Sequence, residues 1–120
     1  MALLLRLVRE GQYDPALIVV QRTVDLVLPG PLRAMVERLE AASVVEVLGP
    51  ADLERVRMYA ALLAEEGAIH DLRGHHQLAA ERGRRALELY EAVAGAGARL
   101  LPADLERVAD LRTRPAPGPA

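Results

Sequence analysis

Apolar residues along this chain recur at spacings of three and four between glycine and proline breaks, a pattern of amphipathic helices rather than strands. Residues 2–10 put Leu3, Leu4, Leu7 and Val8 on one helical face and Arg6, Arg9 and Glu10 on the other, and Gly11 ends the segment. Asp14 followed by Pro15 reads as a helix start, a side-chain cap ahead of a residue whose fixed φ suits the first turn. The helix predicted over 15–28 carries Leu17, Val20, Val24 and Val27, and Ile18, Val19 and Leu26 widen that stripe enough to place it centrally. Its β-branched residues would also suit a strand, but the helical period persists to the end of the segment and decides the matter.

Pro29, Gly30 and Pro31 interrupt the chain, and a helix over 31–41 follows with Leu32, Met35, Val36 and Leu39 on one side. Ser43 and Glu46 have capping-box spacing, which predicts a short helical turn closed by Gly49 and Pro50. The longest helix is expected over 51–73. Leu53, Val56, Ala60, Leu63 and Gly67 form one stripe, and Tyr59, Leu62 and Ile69 form a second, so it should pack on two sides. Beyond Gly74, a helix over 76–94 turns Leu78, Ala79, Ala86, Leu89, Tyr90 and Val93 inward. A last helix over 103–112 shows Leu105, Val108 and Leu111, and TRPAPGPA at 113–120 reads as a disordered proline-rich tail. The expected organisation is a single helical domain, 1–112: hairpin 2–28, middle helices 31–48, hairpin 51–94 and cap helix 103–112.

Two self-similarities refine this outline. PADLERV occurs at 50–56 and again, unchanged, at 102–108, which marks the last helix as the orphan first half of a further hairpin serving as a polar-faced cap. GQYDPA at 11–16 and GHHQLA at 74–79 each place a glycine at an interhelical turn and an alanine five residues later. In the second unit Leu63, Gly67, Gly74, Ala79, Ala86 and Leu87 stand where the tetratricopeptide motif wants a large apolar residue, a small one, the turn glycine, two small residues and an apolar one. The chain therefore resembles the tetratricopeptide repeat. It departs from the motif at His70 and Gly83, where a large apolar or aromatic residue is preferred, at Glu91 in place of the terminal proline, and throughout 31–49. Over most of 2–93 it is also similar to a family of small bacterial helical proteins with no assigned activity. The shared features are a GxYxxA hairpin, a short acidic middle helix and a longer hairpin ending in ALxLY. These resemblances imply an all-α fold of antiparallel helical hairpins: a tetratricopeptide-like right-handed superhelix fragment with an irregular middle segment and a C-terminal capping helix.

Composition changes this picture little. At 120 residues, 52% apolar and 27% charged, with a formal net charge of −2, the chain fits one ordinary globular domain, neither disordered nor generally basic. With no Phe or Trp and only Tyr13, Tyr59 and Tyr90, the core must pack through small aliphatic contacts. All fifteen basic residues are Arg, and without Cys there is neither a disulfide nor a thiolate metal site. Arg6 and Arg9 interrupt the N-terminal apolar run and no small-residue cleavage site follows, so the expected location is cytoplasmic, with no membrane contact.

Candidate chemistry is sparse. His70, His75 and His76 lie around the Gly74 turn with Asp71 and Glu66, but no second helix offers a further ligand, so these are weak metal candidates and no metal or cofactor is expected. Ser43 is the only serine, no glycine-rich phosphate loop occurs, and no enzyme is expected. Arg73, Arg82, Arg84 and Arg85 form the most basic stretch. They support the runner-up reading, a small regulatory protein contacting nucleic acid through 73–85, against which stand the Glu81–Arg85 and Arg84–Glu88 spacings of ion pairs and the lack of stacking aromatics. The favoured reading is a non-catalytic protein–protein interaction or self-association module. Its partner surface would be the inner face of the long helix, lined by Arg57, Ala61, Ala64, Ala68 and Asp71, a smooth groove for a helix of another protein, a peptide or a second copy. The alternative occupant of that groove is the chain's own middle helix or its C-terminal cap.

Overall fold

A computed structural model describes residues 2–118, without the side chains of Pro50 and Ala51. Met1 of the expected domain and Pro119 and Ala120 of the expected tail lie outside the described residues. The described residues form seven α-helices and no strand: α1 Ala2–Arg9, α2 Tyr13–Val27, α3 Pro31–Arg38, α4 Ala41–Val47, α5 Pro50–Leu72, α6 His76–Gly95 and α7 Pro102–Thr113. The α5–α6 pair forms the spine. Hairpin α1–α2 lies against α5, α4 packs on α6, and α7 returns to touch both spine helices.

The two hairpin turns are built alike. Gly11 and Gly74 adopt φ of +73° and +82°, the left-handed region that only glycine enters freely. Each turn closes with the same backbone bonds: Gly11 N–H to Val8 O and Gln12 N–H to Leu7 O in one, Gly74 N–H to Asp71 O and His75 N–H to His70 O in the other. This doubly bonded left-handed cap satisfies carbonyls that the ending helix would otherwise leave free. Ala16 and Ala79, five residues beyond each glycine, are both buried where the paired helices approach.

The closest approach in the spine is at Gly67. A Cβ there would stand 3.1 Å from the Ala79 carbonyl oxygen and 3.4 Å from Arg82 Cβ. The small residue is therefore required by backbone–backbone packing, and bringing the helices this close compensates for a core without Phe or Trp.

Local capping expectations fare worse. Helix α2 begins at Tyr13 with Gln12 as its cap residue, and the Asp14 carboxylate accepts from Arg73 at 2.6 Å instead of capping. Pro15 fits there because the first intrahelical donor is the Ala16 N–H, so the missing proline N–H falls among the amides that need no partner. Ser43 is likewise not a cap: α4 begins at Ala41 after Glu40, which leaves Ser43 inside the first turn. Helix α3 stops at Arg38 rather than 41, and Arg85 Nη2 donates to the Val36 and Leu39 carbonyls at 2.7 and 2.6 Å, closing its end. Nor is α2 central. Val20 and Val24 are buried, but Ile18 and Leu26 project outward, 52% and 83% exposed.

After α7 the chain does not leave the surface at once. Gly118 N–H donates to Gln77 Oε1 at 3.0 Å and its carbonyl accepts from Gln77 Nε2 at 2.9 Å, so residues 114–118 lie back along the start of α6.

Candidate interaction site

The face of α5 expected to receive a helix does hold one, and it is α7. Arg57, at its upper end, is buried, and its Nη1 donates to Asp104 Oδ2 of α7 at 2.8 Å. Asp104 is only 1% exposed. Its other oxygen accepts from the Tyr90 hydroxyl of α6 at 2.8 Å, and Oδ2 also accepts the Leu101 backbone N–H at 2.9 Å. The same carboxylate thus caps α7 from inside its first turn and ties it to both spine helices. Glu54 supplies a second anionic partner to Arg57, with Nε to Oε2 at 3.2 Å.

A carboxylate so deeply enclosed is stabilised only when all its acceptor positions are met. Burial pushes the Asp104 carboxyl up, but the Leu101 N–H, the Tyr90 hydroxyl and the Arg57 guanidinium together hold it below the ordinary carboxylate range. Burial first, and then Asp104, push the Tyr90 hydroxyl well above its usual value. The charged form of Asp104 and the neutral form of Tyr90 are the states this knot selects.

Further along the seam, Ala64 and Ala68 line a small crevice of about 100 Å3 with Gly67, Gly83, Arg107 and Leu111. Arg107 Nε donates to Glu65 Oε1 at 3.2 Å. A Cβ on Gly83 would stand 3.1 Å from Leu111 Cδ2. The residue that departs from the repeat pattern is thus small because α7 occupies the space a large side chain would take. Ala61 is half-buried against the core. Asp71 accepts from His76 Nδ1 at 2.6 Å and faces Arg114 at 3.7 Å.

The histidines do not converge. His70 and His75 stack with ring centroids 6.2 Å apart, while His76 turns to Asp71. The buried His70 Nδ1 has no hydrogen-bond partner among the described residues, and desolvation holds the His70 imidazole below its ordinary value. No three His, Cys, Asp or Glu side chains among the described residues come together as a metal site. Each arginine of the basic stretch has an internal partner: Arg73 pairs with Asp14, Arg82 with Glu66, Arg84 with Glu88, and Arg85 with the end of α3. Among the described residues no helix is long and apolar enough to cross a membrane.

Sequence reasoning missed Asp104 and chose Leu105 for the inner face of α7. Leu105 is 56% exposed, and the buried side of the helix runs through Asp104, Val108 and half-buried Leu111. The available signal was Tyr90 and Arg57, two polar groups on otherwise apolar faces that need a buried acceptor. In comparisons with known proteins, no family model, no curated protein and no solved structure matches this chain.

Proposed function

We propose that this protein is a non-catalytic protein–protein interaction module that works through self-association, and that its hairpins follow a tetratricopeptide-like arrangement. The matched turns at Gly11 and Gly74 and the close approach at Gly67 support that arrangement. The observation that carries the functional reading is the outward face of hairpin α1–α2. Ile18 and Leu26 stand exposed about 80° apart on α2, and Leu3 and Leu5 are exposed on α1, about 200° apart and so on opposite sides of it. Isolated surface aliphatics are ordinary, but a pair as exposed as Ile18 and Leu26 within two turns of one helix favours a covered patch. Because α7 already covers part of the Ala-lined face, self-association would use hairpin α1–α2 instead. A second copy of the chain is the occupant that requires no further component, and a twofold contact would pair the same patch with itself.

Sedimentation velocity of the full chain across a wide concentration range tests this. A reversible dimer that Ile18→Arg with Leu26→Arg converts to monomer, with unchanged helical content, is expected. A strict monomer at every concentration overturns self-association. The nucleic-acid reading has no comparable support, because each arginine of 73–85 has at least one partner within the fold and no group of them stands free as a basic face.

A further inference from the structure

On the face of α5 turned away from α7, helices α2, α3, α5 and α6 line a cleft of about 370 Å3 that opens to solvent. One wall is apolar, made by Val20, Val24, Leu62 and Leu63. The other is polar, and its acceptors are largely used. Glu66 accepts from Gln21 Nε2 at 2.8 Å and pairs through its second oxygen with Arg82 Nε at 2.8 Å. Arg33 donates to Glu37 Oε1 at 2.8 Å, to Gln21 Oε1 at 2.5 Å, and also to Asp25.

Donors remain in surplus. A guanidinium carries five N–H groups, yet among the described residues Arg82 engages only Nε and Arg85 only Nη2. Tyr59 lines the same cleft, and its hydroxyl, which bonds to no side chain among the described residues, is open to solvent there. Glu37 Oε2 accepts from no side chain among the described residues. These solvated donors stand beside an apolar wall, an arrangement that suits a ligand with an anionic head and an apolar body, and the volume is within the range of small-ligand sites.

We propose that this cleft binds a small organic carboxylate with an apolar body. The carboxylate accepts from the free N–H groups of Arg82 and Arg85 and from the Tyr59 hydroxyl, while the body lies against Val20, Val24, Leu62 and Leu63. Arginine suits this role because its planar fork matches the two oxygens of a carboxylate. Inorganic phosphate would use the same donors but leave the apolar wall uncovered, so the two anions are distinguishable.

The test is isothermal titration of the full chain with benzoate and hexanoate, beside methyl benzoate and inorganic phosphate. Saturable one-to-one binding of at least one carboxylate is expected, tighter than phosphate and absent for the ester. Tyr59→Phe and Arg82→Gln should each weaken it about tenfold, the loss of one charge-assisted hydrogen bond. Amide shift mapping on the unaltered protein supplies a readout independent of variant folding, and the largest shifts should surround Tyr59 and Arg82. The proposal is overturned by no saturable binding of either acid, by equal affinity for the ester, by tighter binding of phosphate, by undiminished affinity in both variants, or by shifts centred elsewhere.

Discussion

The two polar regions on opposite faces of α5 are built from the same residue types and end in different states. Toward α7, Arg57, Asp104 and Tyr90 meet in a sealed knot in which both carboxylate oxygens are taken. Toward α2 and α3, Arg33, Arg82, Arg85 and Tyr59 surround open space and keep donors in reserve. At 100° per residue, Arg57 and Tyr59 project to opposite sides of one helix, so both environments hang on one backbone segment. The difference lies in what the facing helices supply. Helix α7 brings a buried carboxylate that takes both Arg57 and Tyr90, whereas the polar groups of α2 and α3 pair largely with one another and leave a cleft beside Tyr59. A closed network adds rigidity and specificity. An open one leaves chemistry available.

Asp104→Ala should produce the largest change, because it strands a buried guanidinium and an enclosed tyrosine together. The expected loss is about 3 kcal/mol, the low end for a broken buried pair since Glu54 still faces Arg57. Thermal unfolding followed by circular dichroism checks it. Gly67→Val tests the spine that both faces share: its Cβ would crowd the Ala79 carbonyl, and overpacking of this kind costs about 1–3 kcal/mol. If the melting temperature is unaffected, the close approach of α5 and α6 is not as tight as 3.1 Å implies.

The tyrosine pair gives the sharpest contrast. Tyr90→Phe removes a donor from buried Asp104 and should cost about 1–2 kcal/mol, while Tyr59→Phe removes an unpartnered hydroxyl and should stay within about 0.5 kcal/mol. Equal effects at the two sites would erase the distinction between sealed and open faces. Acid offers a further probe. The folded Asp104 carboxyl titrates below its ordinary value, so its stabilisation is complete above about pH 4 and is lost as pH falls through the folded value. Amide exchange in α7 should rise over that interval before exchange in α5 does. The smallest expected effect is Asp52→Ala, within about 0.5 kcal/mol, because this twin of Asp104 meets only Arg55, at 4.0 Å and in solvent.

Much of the fold was legible in the chain because its signals are local. Gly11 and Gly74 end helices through a backbone conformation that side chains resist, and Pro31 and Pro102 open helices where a missing N–H does no harm. The two apolar stripes of α5 likewise announced a helix packed on two sides. Less legible was which apolar residue faces outward. Ile18 and Leu26 belong to a plausible stripe, and only the placement of α1 and α5 around α2 leaves them in solvent. The cleft was invisible in sequence, since Gln21, Arg33, Tyr59, Glu66 and Arg82 come from four helices and form no local motif. The Ala-lined groove was expected to take a helix of another molecule, with the chain's own middle helix or cap as the alternative occupant, and α7 lies along part of it.

The repeated heptapeptide separates the two kinds of information. In both copies PADLERV opens a helix, because proline's fixed φ and the acidic first turn act within a few residues, whatever lies beyond. In the first copy Leu53 is buried and Asp52 meets solvent, while in the second Asp104 is buried and Leu105 meets solvent. The same seven residues are rolled by about one position, roughly 100° around the helix. Sequence alone determined that a helix begins at each place. Which face it buries was decided by Arg57 and Tyr90, two partners distant in the chain that make a buried carboxylate more favourable than a buried leucine.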